Sequence, residues 1–117
     1  MARYADVADC TDPAITVTDQ HLLQADSDVD GDLRKLGLTT ADIAALTLPN
    51  AQLTALAVAY ASRVAALDGA IGEQSPLLDK ARQYATLARE RAARLTREAL
   101  GLDAPTGGYG TVEIGRG

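Results

Sequence analysis

The chain has no Phe and no Trp, and only one Cys, one His and one Met among 117 residues. Its aromatic content of 3% is four tyrosines. A core without large rings must be built from Leu, Ala, Val and Ile, and roughly one residue in five is Ala, far above ordinary usage. A single domain of this length buries about two-thirds of the surface its unfolded chain exposes. Small side chains leave that core thin, which favours close helix packing and completion by partners. The lone Cys10 excludes an internal disulfide and a paired-Cys metal site. No apolar run reaches the ~18 residues of a membrane span. The opening Met1-Ala2-Arg3-Tyr4 lacks the apolar stretch of a secretory signal, so the expectation is synthesis and folding in a reducing cytoplasm. Positive charge is also short: 11 Lys and Arg against 16 Asp and Glu leave a net charge of −5. That balance argues against a sequence-reading nucleic-acid binder, whose phosphate contacts need a basic surface.

What is present is helical periodicity. Residues 1–17 read as an extended arm or short helix, with a turn at Asp12-Pro13. Thr18 is an N-cap with Asp19 in the first turn. Leu22, Ala25, Val29, Leu33 and Leu36 then recur at threes and fours on one helix face, and Gly37 closes it. Thr39 and Thr40 cap a short helix through Ile43 and Leu46. Pro49 and Asn50 restart the chain as a third helix striped by Leu53, Leu56, Ala57, Tyr60, Ala61, Val64 and Leu67, closed by Asp68-Gly69. Ser75 and Pro76 open the last helix, Pro at the first position where its missing N–H costs nothing. Its stripe of Leu77, Leu78, Ala81, Tyr84, Ala85, Ala88, Ala92, Leu95 and Ala99 runs to Gly101, a length on the order of 35–40 Å. The expectation is an all-α bundle of about four helices over residues 1–102. Residues 103–117 follow as a flexible Gly-rich C-terminal arm, whose island Thr111-Val112-Glu113-Ile114, with Tyr109 before it, can add a strand to a partner.

Charge is segregated along the chain. Residues 1–50 hold nine acidic and three basic groups, whereas the last helix carries Lys80, Arg82, Arg89, Arg91, Arg94 and Arg97 against Asp79, Glu90 and Glu98. One acidic and one basic surface suit head-to-tail self-association, with the arginines at the subunit interface. The plainer reading of a single arginine is a solvated helix with an i,i+4 pair such as Glu90 to Arg94. Asp26, Asp28, Asp30, Gly31 and Asp32 match the first half of a calcium loop. However, Arg34 and Gly37 occupy the places of its later ligands, and the apolar stripe passes straight through, so an acidic helix face is the better account. His21 and Cys10 have no third group to complete a nucleophilic set, and Gly107-Gly108-Tyr109-Gly110 lacks the Lys and helix of a phosphate cradle. No cofactor, metal or catalytic residue is expected. A helical module that binds a partner protein, as a regulator or chaperone does, explains the stripes equally well but gives the tail no role.

The opening Arg3-Tyr4-Ala5-Asp6-Val7, the acidic helix around Asp28-Val29-Asp30-Gly31-Asp32-Leu33, the Ala-rich helix over residues 53–67 and the helix start Ser75-Pro76-Leu77-Leu78-Asp79-Lys80-Ala81 together resemble the head–tail connector (adaptor) proteins of tailed bacteriophages. The resemblance is one of layout and spans most of the chain. It implies a structural virion protein of the neck, made in the host cytoplasm and assembled as a homo-oligomeric ring, typically of twelve copies. Such a ring sits under the portal protein, extends the DNA channel and docks the next neck or tail-completion component. DNA passes through without sequence-specific binding. In that setting an acidic lumen, with Asp26, Asp28, Asp30 and Asp32 as its lining, lets the duplex slide where basic groups would retain it.

Overall fold

The computed structural model describes residues 2–70 and 75–102. Four α-helices form, α1 (Asp19–Lys35), α2 (Thr40–Ala44), α3 (Ala51–Gly69) and α4 (Pro76–Ala93), with 3₁₀ turns at Val7–Asp9 and Glu98–Leu100. No strand occurs among the described residues. The all-α architecture is therefore the one the periodicities predict. The C-terminal arm, with Tyr109, Thr111, Val112, Glu113 and Ile114, lies outside the described residues.

Each helix begins at a side chain that satisfies first-turn N–H groups. Thr39 Oγ1 accepts from the Asp42 N–H at 3.1 Å while the Asp42 carboxylate accepts from the Thr39 N–H at 2.9 Å. Asn50 Oδ1 accepts from the N–H groups of Gln52 and Leu53 at 3.0 and 3.1 Å. Ser75 Oγ accepts from the Leu77 N–H at 3.2 Å, with Pro76 just inside. The end of α1 is equally local. Gly37 takes φ +92°, the left-handed region that glycine enters without penalty. The Gly37 N–H then reaches the Arg34 carbonyl at 2.9 Å and the Leu38 N–H reaches the Leu33 carbonyl at 3.2 Å. Leu33 and Leu38 are both buried, completing the apolar contact that accompanies this cap.

Helix α3 is the centre of the fold, packed against both α1 and α4. It buries Leu53, Leu56, Ala57, Ala59, Ala61, Ser62, Ala65 and Ala66, more than one stripe's worth, because it has a neighbour on either side. Helix α4 meets it largely through small side chains, Ala81 and Ala88 being its fully buried residues. Leu22, Val29 and Leu33 of α1 have no solvent exposure and supply the bulk the alanines lack.

One element differs from the sequence reading. The last helix stops at Ala93 instead of running to Gly101, so its 18 residues span about 27 Å. In a continuous helix Ala99 stays in step with Leu95 and Leu100 faces away. The chain instead tightens, with Arg94 N–H to the Arg91 carbonyl and Leu95 N–H to the Ala92 carbonyl, both at 3.2 Å. Thr96 Oγ1 caps the following turn through the Ala99 N–H at 3.0 Å. Leu95 and Leu100 end buried, and Ala99 ends exposed. The N-terminal residues, expected as an extended arm or short helix, form the 3₁₀ turn at Val7–Asp9, and Tyr4, Ala5 and Val17 join the core.

Candidate functional site

Asp26, Asp28, Asp30 and Asp32 of α1 divide by helix geometry into two i,i+4 pairs that flank the buried stripe of Ala25, Val29 and Leu33. Asp26 and Asp30 face the N-terminal segment. Asp26 accepts from the backbone N–H of Arg3 at 2.8 Å and more weakly from that of Tyr4 at 3.4 Å, and Asp30 accepts from the Tyr4 hydroxyl. Thr54 Oγ1 of α3 donates to the Tyr4 carbonyl at 2.8 Å. The Arg3 guanidinium lies 5.2 Å from the Tyr4 ring centre and donates to the Ile43 carbonyl. Asp28 and Asp32 face α3. Asp32 accepts from the Tyr60 hydroxyl, and Asp28 sits 4.0 Å from the Arg63 guanidinium. Burial pushes the Asp28 carboxyl up, with Arg63 opposing it. Burial, then the carboxylate partner, pushes the Tyr4 and Tyr60 phenols well up.

The acidic run is thus a set of intramolecular acceptors as well as an acidic face. Residues 26–32 lie inside uninterrupted helix, so the half-match to a calcium loop is not a loop. Among the described residues no group of three or more His, Cys, Asp or Glu could hold a metal ion.

Asp12 does for α4 what Asp26 and Asp30 do for the N-terminal segment. Its Oδ2 accepts from Lys80 Nζ at 2.9 Å and from the Tyr84 hydroxyl at 2.7 Å, and its Oδ1 from the Ala14 N–H at 2.9 Å. Lys80 first, then Tyr84 and Ala14, hold its carboxyl at about 2. The sequence reading missed this clasp, although Lys80 and Tyr84 stand four apart on one helix face and so present a shared donor pair.

His21 links the start of α1 to the end of α3. Its Nε2 lies 2.7 Å from Asp68 Oδ2, and its Nδ1 accepts from the Thr18 N–H at 3.1 Å. Thr18 Oγ1 is 3.3 Å from the same Nδ1 and 3.5 Å from the His21 N–H. The connectivity Asp–His–Thr has the outline of a nucleophile relay. The Nδ1 lone pair, however, is directed to a backbone N–H, so the ring works as a helix cap and does not take the hydroxyl proton.

The arginines separate into two kinds. Arg91 is half-buried and donates to the Ala55 carbonyl of α3 at 2.7 Å, tying α4 to the central helix. Arg82, Arg89 and Arg94 are exposed. Arg82 pairs with Asp79 at 2.9 Å, and Arg89 reaches Thr86 Oγ1 at 3.4 Å. No ion pair within 4.0 Å joins Glu90 to Arg94. Arg97 is half-buried beyond the end of α4, where its charge helps keep the Asp42 carboxyl low after the two Thr39 hydrogen bonds. No helix of the described residues is long and apolar enough to cross a membrane.

No family model, no curated protein and no solved structure matches the chain.

Proposed function

We propose that this chain is a non-catalytic assembly protein of the head–tail connector type, a neck component that forms a ring below the portal and docks the next tail-side protein. The observation that carries this reading is the pair of exposed arginines seven apart on one face of α4, Arg82 and Arg89, with Arg94 exposed at the helix C-cap. Of Arg82, Arg89 and Arg94, only Arg82 has a carboxylate within 4.0 Å among the described residues. Among the exposed acids, Asp79 and Glu90 share α4 with these arginines, and Asp6, Asp9, Asp19 and Asp68 stand elsewhere. A basic surface and a distinct acidic surface on one chain favour head-to-tail contacts between copies, and such contacts close into rings when the rotation permits.

The thin Ala-rich contact between α3 and α4 points the same way, since neighbours in a ring add apolar burial that one chain lacks. The acidic face of α1 remains the lumen side in this reading. Asp30 and Asp32 take their hydrogen bonds from neutral phenols, so those partners leave the carboxylate charge in place to repel passing phosphates. The C-terminal arm is assigned to a partner, the portal or an adjacent subunit.

The test is electron microscopy of particles made when the gene carries an early stop codon. Filled or leaking heads beside unattached tails support a neck role. Normal tailed particles, or a source that makes no capsids, overturn it and leave a helical protein-binding module in front.

A further inference from the structure

A continuous groove runs along the first half of α3. Two adjoining hollows of about 610 and 530 Å³ share Asp9, Pro49 and Thr54. A smaller hollow of about 180 Å³ shares Ala55 and Arg91 with the first and extends to Arg94. The floor is small and apolar, from Pro49, Ala51, Ala55 and Val58. The two ends differ in charge: Arg91 and Arg94 make one basic, and Asp6 and Asp9 outnumber Arg3 at the other, leaving it net acidic.

We propose that residues 109–114 of the chain's own C-terminal arm dock in this groove, so that the arm is stored on its own helical body before it meets a partner. Three observations select this occupant. First, the arm follows the groove's basic end along the chain. The Leu102 N–H is held by the Arg97 carbonyl at 2.9 Å, three residues beyond Arg94 at the groove's basic end. Residues 103–109 then extend over at most about 25 Å, enough to enter at that end.

Second, the arm carries the apolar residues a small-residue floor accepts. Val112 and Ile114 fall on one face of an extended segment, with Thr111 and Glu113 on the other. Third, the charges come in matching order. A chain entering past Arg94 brings Glu113 to Arg91 and Arg94, and its later Arg116 toward Asp9 and Asp6. The reverse direction sets like charges against each other at both ends.

This storage is independent of the connector reading, because it concerns one chain alone. The experiment places a nitroxide on Gly115→Cys in a full-length Cys10→Ser background and records amide spectra of the ¹⁵N-labelled protein. The expected result is loss of the Thr54, Ala55 and Val58 signals. The Asp68 signal, about 20 Å further along α3, is retained. Val112→Asp with Ile114→Asp, changes outside the described helices, restores the lost signals, and so does Glu113→Lys. Unchanged Thr54, Ala55 and Val58 signals overturn the proposal. So does signal loss that appears only when a spin-labelled, unenriched chain is mixed with an unlabelled ¹⁵N chain, since the occupant is then the arm of a second copy.

Discussion

The Tyr84 hydroxyl donates to the Asp12 carboxylate at 2.7 Å, across 72 positions of chain, and the same oxygen takes Lys80 Nζ at 2.9 Å. Two donors four apart on α4 therefore hold one acceptor in the turn before α1. This clasp fixes how residues 10–17 cross the bundle, and with them Val17, which is buried.

The clasp makes stability depend on acid. The Asp12 carboxyl is lowered from an ordinary 3.8 to about 2. A carboxyl lowered on folding contributes stability that is fully present above its unfolded value and is lost as pH falls through the folded one. Its contribution should therefore disappear between about pH 4 and pH 2. Asp12→Asn removes the charge and costs about 1–2 kcal/mol at neutral pH, in the range of hydrogen bonds to a charged group. Urea unfolding from pH 7 to pH 2 checks this: the wild-type and variant curves should converge toward the acid end. A constant gap down to pH 2 contradicts the assignment.

Gly31 stands in the interior of α1 with nothing within 4 Å of the place a Cβ would occupy. Its cost to the helix is thus conformational, with no packing reason to keep it in the isolated chain. Gly31→Ala should stabilise the protein by about 0.5–1 kcal/mol. Thermal unfolding should move up by roughly 2–5 °C. A decrease shows that the surface beside Gly31 is closely occupied, as a neighbouring copy would make it.

The Asp32–Tyr60 bond joins α1 to α3 across 28 positions. Tyr60→Phe leaves the ring and removes the hydroxyl, so it should cost about 1 kcal/mol. Asp32→Asn should cost a similar amount, and the two changes together should cost less than their sum. A double-mutant cycle by urea unfolding reads that coupling. Strict additivity means that the two groups do not interact in solution.

How much of this was legible follows from range. The caps at Thr18, Thr39 and Ser75-Pro76, and the turn at Gly37, are local devices, and the sequence predicts all of them in place. The end of α4 is not local. Nothing between Ala93 and Leu100 breaks a helix by propensity, and the apolar stripe continues to Ala99. Burial of Leu100 against the rest of the core favours a second turn, which Thr96 caps. The aspartates of α1 share that limit. Their i,i+4 spacing marks two faces, but which tyrosine meets which carboxylate is set by helices that pack from far along the chain. Charge pattern alone made them look like a solvated acidic face, whereas all four are half-buried.

His21 offers a test of the cap at the start of α1. Its Nδ1 accepts from the Thr18 N–H at 3.1 Å and its Nε2 faces Asp68 at 2.7 Å. The neutral ring must therefore carry its proton on Nε2, donating to Asp68. Long-range ¹H–¹⁵N correlation spectra at pH 8 should show the Nε2–H tautomer as the dominant form. An Nδ1–H tautomer breaks the link to the Thr18 N–H. His21→Ala should shorten α1 from its N-terminus and cost about 1 kcal/mol, as lost caps do.

Charge reversal on α4 separates folding from assembly. Among the described residues Arg89 reaches the Thr86 hydroxyl at 3.4 Å and no carboxylate within 4.0 Å, and Arg82 has an exposed pair with Asp79. Exposed pairs of this kind contribute from nothing to about 1 kcal/mol. Arg82→Glu with Arg89→Glu should therefore leave thermal unfolding within a few degrees of wild type, the small loss coming from Glu placed near Asp79. If these guanidiniums meet the acidic surface of another copy, the same double variant should fail to complement the stop-codon gene in particle assembly. Reversal sets like charges against each other at every subunit boundary of a closed ring, so the penalty repeats at each contact. Adding the opposite reversal at Asp6, Asp9, Asp19 or Asp68 should restore tailed particles for the acid that faces the arginines, and for no other. Full complementation by the double variant removes α4 from the subunit interface.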